Sequence, residues 1–244
     1  MILELEEVAL NAWPALRTVV YDGWLLRMSN GYTRRANAVH PFYASTLPLD
    51  EKIDTCERRY AAYSLPTIFK LTDAAQPADL DLALETRGYR SDPGARIMTV
   101  TLDTTPPPHP AAHIEPTVSD AWIGHYTRLN AERAKHNDIL QRLFSAIAVP
   151  AAYVTLARDE QVVGIGVAVA ERGNVGLFGL AVDPAFRRQG LGVELVETCL
   201  AWGAEQGARR AYLQVHPNNL PAVGLYERVG FREAYRYWYR QQSM

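Results

Sequence analysis

Three short segments of this 244-residue chain recur in one register. Ala38-Val39-His40-Pro41 matches Ala181-Val182-Asp183-Pro184, and Asp54-Thr55-Cys56 matches Glu197-Thr198-Cys199, both at an offset of 143. Arg87-Gly88-Tyr89-Arg90 matches Val229-Gly230-Phe231-Arg232 at 142. A shared register over that distance marks a duplicated domain; two copies are too few for a solenoid. Between the copies, Thr104–Ala112 holds four prolines in nine residues. Helices and central strands do not accept that composition, so an extended spacer is expected. The expected organisation is a first domain at 1–103, a proline-rich linker at 104–112 and a second domain at 113–244.

Composition excludes several classes. At 48% apolar and 21% charged residues, the chain is an ordinary globular one, not a disordered segment or a rod. Its longest apolar runs fall short of the ~18 residues of a membrane-spanning helix, so no membrane partner is expected. The first ten residues are acidic where a secretory leader is basic, and a cytoplasmic location is expected. Two cysteines, Cys56 and Cys199, form no disulfide framework and have no metal-ligand spacing, nor do the histidines, so no metal is expected. A net charge of −2 gives no reason to expect nucleic acid.

The second copy reads as a mixed α/β series. Residues 120–129 and 139–148 suit short helices, with Asp120 as N-cap of the first. Strands are expected at 153–158, 162–170 and 175–182, the last two joined by a hairpin at Glu171-Arg172-Gly173-Asn174. Residues 190–206 suit a helix with Leu191, Leu195, Cys199 and Trp202 on one stripe, ended by Gly207. A strand at 211–215, a helix at 220–229 and a strand at 235–240 follow. This order implies a mixed sheet with helices on its faces.

Two segments carry chemistry. Leu180 to Gly192 runs from a strand through a loop into a helix. Unpaired N–H groups and the positive dipole end make a helix start a ready anion site. Gly190 and Gly192 let a phosphate approach the backbone, and Arg187 and Arg188 add positive charge. Neither the nucleotide-triphosphate loop nor the dinucleotide fingerprint is present. In the second segment, Leu213 to Phe231, Asn219 suits an N-cap, Pro221 the first helical turn, and Ala222 and Tyr226 share a helix face.

Together the two segments resemble the GNAT superfamily of acyl-CoA-dependent N-acyltransferases. Arg187, Gly190 and Gly192 match its Arg/Gln-x-x-Gly-x-Gly/Ala loop. Asn219, Ala222, Tyr226, Gly230 and Phe231 match its Asn-x-x-Ala-x-x-x-Tyr-x-x-x-Gly-Phe pattern. The resemblance covers roughly residues 113–240. It implies a tandem GNAT-like fold whose splayed mixed sheet is flanked by helices. The strand would part from its neighbour at Leu180, Ala181 and Val182 and bond the pantetheine amides. Arg188, Gln189, Gly190, Leu191, Gly192 and Val193, with Arg187, would cradle the pyrophosphate. Asn219 would contact the pantetheine arm and Tyr226 would protonate the leaving thiolate. The implied reaction moves the acetyl group of acetyl-CoA to a primary amine of a small molecule by direct attack in a ternary complex. A protein N-terminus or lysine is the alternative acceptor, and a non-catalytic acyl-CoA-binding or interaction protein is the third reading. Some ribosomal-protein acetyltransferases of the superfamily have a glutamate where this chain has Gln214, so the base stays open between His216, Asp183 and water. A homodimer is left open too.

The first copy reads as degenerate. After Pro41 it runs Phe-Tyr-Ala-Ser-Thr-Leu-Pro-Leu49, with no glycine or arginine, and Leu84 stands where the second copy has Tyr226. One CoA site per chain is therefore expected. Thr33–Val39 aligns with the strand at 177–182, which would put Arg35 and Asn37 on one face, either lining an acceptor pocket or guarding an exposed edge. The strand at 95–102 is expected to complete the joint sheet. The polar segment 131–138 is expected to link two helices.

Overall fold

The computed structural model describes residues 1–104, 107–130 and 136–242. The chain forms two compact units. The first holds residues 1–6, 13–95 and the chain from Tyr235 on; the second holds 7–12 and 96–234.

Within the first unit, β1 (Arg17–Tyr21) pairs antiparallel with β2 (Trp24–Met28), and β2 with β3 (Val39–Pro41). Strand β3 meets β4 (Ile68–Leu71) in parallel. Helices α2 (Leu49–Ala61) and α3 (Leu80–Thr86) cover a core of Trp24, Leu26, Ile53, Phe69 and Leu84. Helix α1 is Ile2–Ala12. The second unit contains β6 (Ala112–Glu115), α4 (Asp120–Leu129), α5 (Asn137–Ser145), β7 (Ala151–Arg158), β8 (Gln161–Glu171) and β9 (Asn174–Val182). It continues through α6 (Leu191–Glu205), β10 (Arg210–Val215) and α7 (Leu220–Arg228). Strands β6 to β9 form an antiparallel meander, and β9 meets β10 in parallel.

The last strand of each copy joins the other copy's unit. Strand β5 (Arg90–Thr101) pairs antiparallel with β10, from Arg96↔Val215 to Thr101↔Arg210. Strand β11 (Arg232–Gln241) pairs antiparallel with β4, from Trp238↔Leu71 to Gln241↔Ile68. Residues 96–101 of the strand expected at 95–102 thus pair with β10, and the exchange is reciprocal.

The repeated segments fall on equivalent elements. Cys56 in α2 and Cys199 in α6 are both fully buried. Gly88 and Gly230 both have positive φ after a short helix. Each is followed by a buried aromatic whose N–H closes the helix: Tyr89 onto the Leu84 carbonyl and Phe231 onto that of Tyr226, both at 3.0 Å.

Local chemistry explains the elements of the second copy. Arg172 and Gly173 take φ of +50° and +72° at the β8–β9 turn, which matches strand twist. Along α6, Leu191, Leu195 and Cys199 are buried, and each such leucine contributes about 1.5–3 kcal/mol. Gly203 lets α6 rest on β9, since a Cβ there would lie 2.6 Å from a Val175 methyl. Gly207, at φ +83°, ends the helix.

Two expectations are corrected. Ser119, not Asp120, caps α4, its hydroxyl accepting the Trp122 N–H at 3.1 Å. Thr33–Val39 is not a continuous strand: Arg34–Ala36 forms a single 3-10 turn and β3 begins only at Val39. Asn37 enforces that turn, because its amide satisfies four backbone groups at once. Near the end of the proline-rich segment the His109 N–H donates to Thr198 Oγ1 at 3.3 Å, and the Ala111 carbonyl accepts the Ala157 N–H at 3.2 Å. Residues 131–135, most of the expected linker between α4 and α5, lie outside the described residues. Among the described residues no helix is long and apolar enough to cross a membrane.

Candidate active site

The site begins where two parallel strands separate. The β9–β10 ladder runs from Asn174↔Arg210 to Leu177↔Leu213 and ends there, although β9 continues to Val182 and β10 to Val215. On its other side β9 stays paired with β8 up to Val182↔Gly164. That ladder shifts register: Phe178 faces Val167 and Ala181 faces Ile165, so Gly179 and Leu180 together oppose Gly166. Such a bulge bends its strand and increases twist. Gly179 takes φ +60°, and a Cβ there would sit 2.9 Å from Tyr126 Cε2. Tyr126 is fully buried and packs with Trp122 and Phe144. The aromatic cluster therefore holds the bulge, and β9 carries backbone N–H and C=O groups beyond Leu177 that β10 does not take.

The loop that follows is set by local bonds. Asp183 Oδ1 accepts the Ala185 N–H at 3.0 Å, and Oδ2 is paired with Arg128 at 3.1 Å. Arg188 and Gly190 take φ of +66° and +87°, so the chain reverses tightly before α6. Alternating backbone handedness of this kind turns successive N–H groups into one concavity, a nest for an anion. The Gly190 carbonyl accepts the Val193 N–H at 2.8 Å, whereas the donors before it have no place in the helix ladder. The acidic Glu194 in the first turn is held by Arg158 at 2.5 Å and His109 at 3.4 Å, which offsets its repulsion of an anion.

The opposite wall is α7. Asn219 caps it, its side chain accepting the Ala222 N–H at 3.4 Å. Leu225 packs on Gly192, where a Cβ would come within 2.4 Å of Leu225 Cδ1. The absence of a side chain at Gly192 thus serves helix packing, while Gly190 supplies the left-handed turn.

Between these walls lies a cleft of about 420 Å³, within the ~300–1,000 Å³ usual for small-molecule sites. Leu180, Ala181, Val182, Arg187, Arg188, Gly190, Leu191, Gly192, Val193, Asn219 and Tyr226 all line it. Gln189 is not in its lining, nor are Asp183 and His216. Asp183 is engaged as described, and exposed His216 accepts the Asn218 N–H at Nδ1. Ala222 lines it too, and Phe186, Leu195, Val196, Pro221, Leu225 and Arg228 complete the lining as additions from the structure. Leu225 follows Ala222 by three on the same helical face, a spacing visible in the sequence. Tyr226 is half-buried, and burial pushes its phenol up to about 12. Its ring meets Phe231 edge-on, and its hydroxyl hydrogen-bonds none of the described residues. Gln214 lies one residue past the last rung of the ladder, and its buried Oε1 has no hydrogen-bond partner among the described residues.

A parting parallel pair, a bulge and a left-handed turn into a helix start are the architecture of an acyl-CoA-dependent N-acetyltransferase of the GCN5-related type. Residues 1–240 match a family model described as "Probable histone acetyltransferase Rv0428c C-terminal", and the chain belongs to that family. It is 26% identical over 244 residues to an uncharacterized N-acetyltransferase, YobR, of Bacillus subtilis, covering 98% of each chain. Its fold resembles a GCN5-related N-acetyltransferase from Kribbella flavida, with a TM-score of 0.72 at 15% identity, covering 99% of this chain and 95% of that one. It also resembles a tandem GNAT protein from the clavulanic acid biosynthesis pathway, with a TM-score of 0.58 at 13% identity, covering 77% of this chain and 68% of the other.

Proposed function

We propose that the chain transfers the acetyl group of acetyl-CoA to a primary amine of a small molecule, by direct attack in a ternary complex, with one CoA site per chain in the β9–β10–α6–α7 cleft. The observation that carries this reading is the end of the β9–β10 ladder at Leu177↔Leu213 beside the left-handed turn at Arg188–Gly190. The free β9 edge suits the amides of pantetheine, by the same pairing that adds a peptide to a sheet edge. The first N–H groups of α6, with Arg187 and Arg188, suit a diphosphate. The β9 N–H groups also suit the oxygen that gains charge during attack.

Tyr226 acts on the leaving sulfur as a hydrogen-bond donor. A phenol near 12 opposite a thiolate near 8.5 would transfer its proton uphill by roughly 5 kcal/mol. Stabilising the thiolate by a charge-assisted bond, worth about 1.5–3 kcal/mol, avoids that cost. Asp183 and His216 are engaged outside the cleft, so water takes the proton from the amine. The first copy, with Leu84 in place of a tyrosine, has no catalytic part.

Calorimetric titration of acetyl-CoA tests the site. One equivalent is expected to bind per chain, and Gly190→Asp is expected to abolish binding by placing a carboxylate in the nest. A panel of small primary amines, with thiol release as readout, then tests the acceptor. The description of the family model favours a second reading, a protein lysine. Turnover of histone-tail peptides with none of the small amines would replace the first reading with the second.

A further inference from the structure

The first unit holds an arginine whose surroundings call for an anion. Asn37 is 4% exposed and is spent on four backbone groups, on Ser29, Gly31, Tyr32 and Thr33, which removes it from any pocket. What this clamp presents is Arg35. Its guanidinium lies over the ring of buried Trp13, with Cζ 4.7 Å from the centroid. Among the described residues it has no carboxylate partner and makes no side-chain hydrogen bond. Every comparable cation around it is engaged. Arg34 pairs with Asp92 at 2.8 Å and lies over Tyr239. Lys70 is buried against Glu6, and Arg27 donates to the Arg35 and Trp13 carbonyls.

The setting makes that lone charge costly. Burial, and after it the charge of Arg35 among others, lower Arg27 and Lys70 from their ordinary values. Arg35 thus adds to a positive field in a partly desolvated place, where an unpaired charge is unfavourable. The backbone that holds it there is strained as well. Thr33, a β-branched residue, takes φ +54°, and its Oγ1 accepts the Trp13 Nε1–H at 3.2 Å. Strain of this kind persists where neighbouring structure fixes it, and it concentrates at ligand clamps.

We propose that Arg35 is the recognition centre of a carboxylate-binding site in the first unit, its fork taking both oxygens of one carboxylate while Trp13 fixes its plane. A guanidinium seated over a ring, with no partner among the described residues, keeps its N–H fork for the two oxygens of a carboxylate. One unmatched positive charge also fits a monoanion better than a dianionic phosphate. The site does not depend on the acetyl-transfer reading.

Calorimetric titration of the full chain tests it. One arm uses butyrate and L-alanine against butyramide and L-alaninamide. The other uses a tetra-alanine peptide with a free or an amidated C-terminus. Acids are expected to bind in the millimolar range and amides not, and the better arm identifies the source of the carboxylate. Arg35→Gln is expected to weaken binding by about ten- to hundred-fold, with acetyl-CoA binding as the check that the chain is folded. If that variant does not fold, Arg35→Lys keeps the charge, loses the fork and is expected to weaken acids selectively. Arg34→Gln is expected to retain binding. The site is overturned if acids bind no better than amides, if inorganic phosphate binds as well as the acids, or if the Arg35 variants bind unchanged.

Discussion

In the role proposed for Tyr226 the chemistry turns on one proton. The phenol has to be protonated to donate to the departing sulfur, and burial raises its pKa to about 12. The donor is therefore present at every ordinary assay pH and is lost only as pH rises through about 12. Activity is expected to climb with pH as the acceptor amine deprotonates, with no falling limb from Tyr226 at pH 9–10, where an unperturbed phenol would give one. A pH–rate profile of the wild type checks this. Tyr226→Phe is expected to lower kcat by about ten- to hundred-fold, the worth of one charge-assisted hydrogen bond. Acetyl-CoA affinity, read calorimetrically, is expected to hold. A second residue carries a stability argument. Lys70 and Glu6 are both almost fully buried, and Glu6 also accepts from the Tyr235 hydroxyl at 2.9 Å. Glu6→Gln leaves a buried ammonium without its anion, and a loss of about 3–5 kcal/mol is expected in chemical denaturation.

Elements bring such residues together, and here the sequence is legible unevenly. The α6 start and the α7 cap were readable because both depend on a few contiguous residues: a left-handed glycine, two arginines, an asparagine three before an alanine. The β8–β9 hairpin was readable for the same reason. The strand reading of Thr33–Val39 failed because the buried amide of Asn37 organises the backbone there from a distance of four to eight residues, which a period-two pattern does not register. Arg228 escaped notice because its place in the cleft depends on how α7 docks on α6, which is set by Leu225 against Gly192. The bulge on β9 is also tertiary in origin: Gly179 has a partner in Tyr126, on a helix some fifty residues earlier. Gly179→Val puts a branched side chain at φ +60° and against that ring. A loss of about 1–3 kcal/mol is expected from the backbone alone. Acetyl-CoA affinity is expected to fall as well, because relieving the clash realigns β9 toward β10 and closes the edge. Melting temperature and calorimetry on one sample separate the effects; normal affinity at reduced stability would mean that the bulge serves packing only.

At the scale of the whole molecule, the duplication matters through its strands. Each copy ends in a strand that completes the other's unit: β5 beside β10, and β11 beside β4. This gives the degenerate first copy a role that no side-chain chemistry requires. Without residues 96–101, β10 becomes an edge with a row of unpaired N–H and C=O groups, next to the place where β9 already parts from it. Exposed edges of that kind pair with whatever strand is available. Apolar cover is lost too, since Met98 belongs to the core formed by Leu177, Leu195, Cys199 and Leu213. A fragment of residues 104–244 contains every cleft residue, yet it is expected to aggregate or to elute as mixed oligomers in size-exclusion chromatography. Its own β11, with β4 missing, is expected to worsen this. Co-expression with residues 1–103 supplies both strands in trans and is expected to restore a soluble complex that binds one acetyl-CoA. If the 104–244 fragment were monodisperse and bound acetyl-CoA unaided, strand exchange would be an ornament of the fold and the first copy dispensable to the second. The expected result makes the first copy the structural condition for a catalytic site to which it contributes no cleft residue.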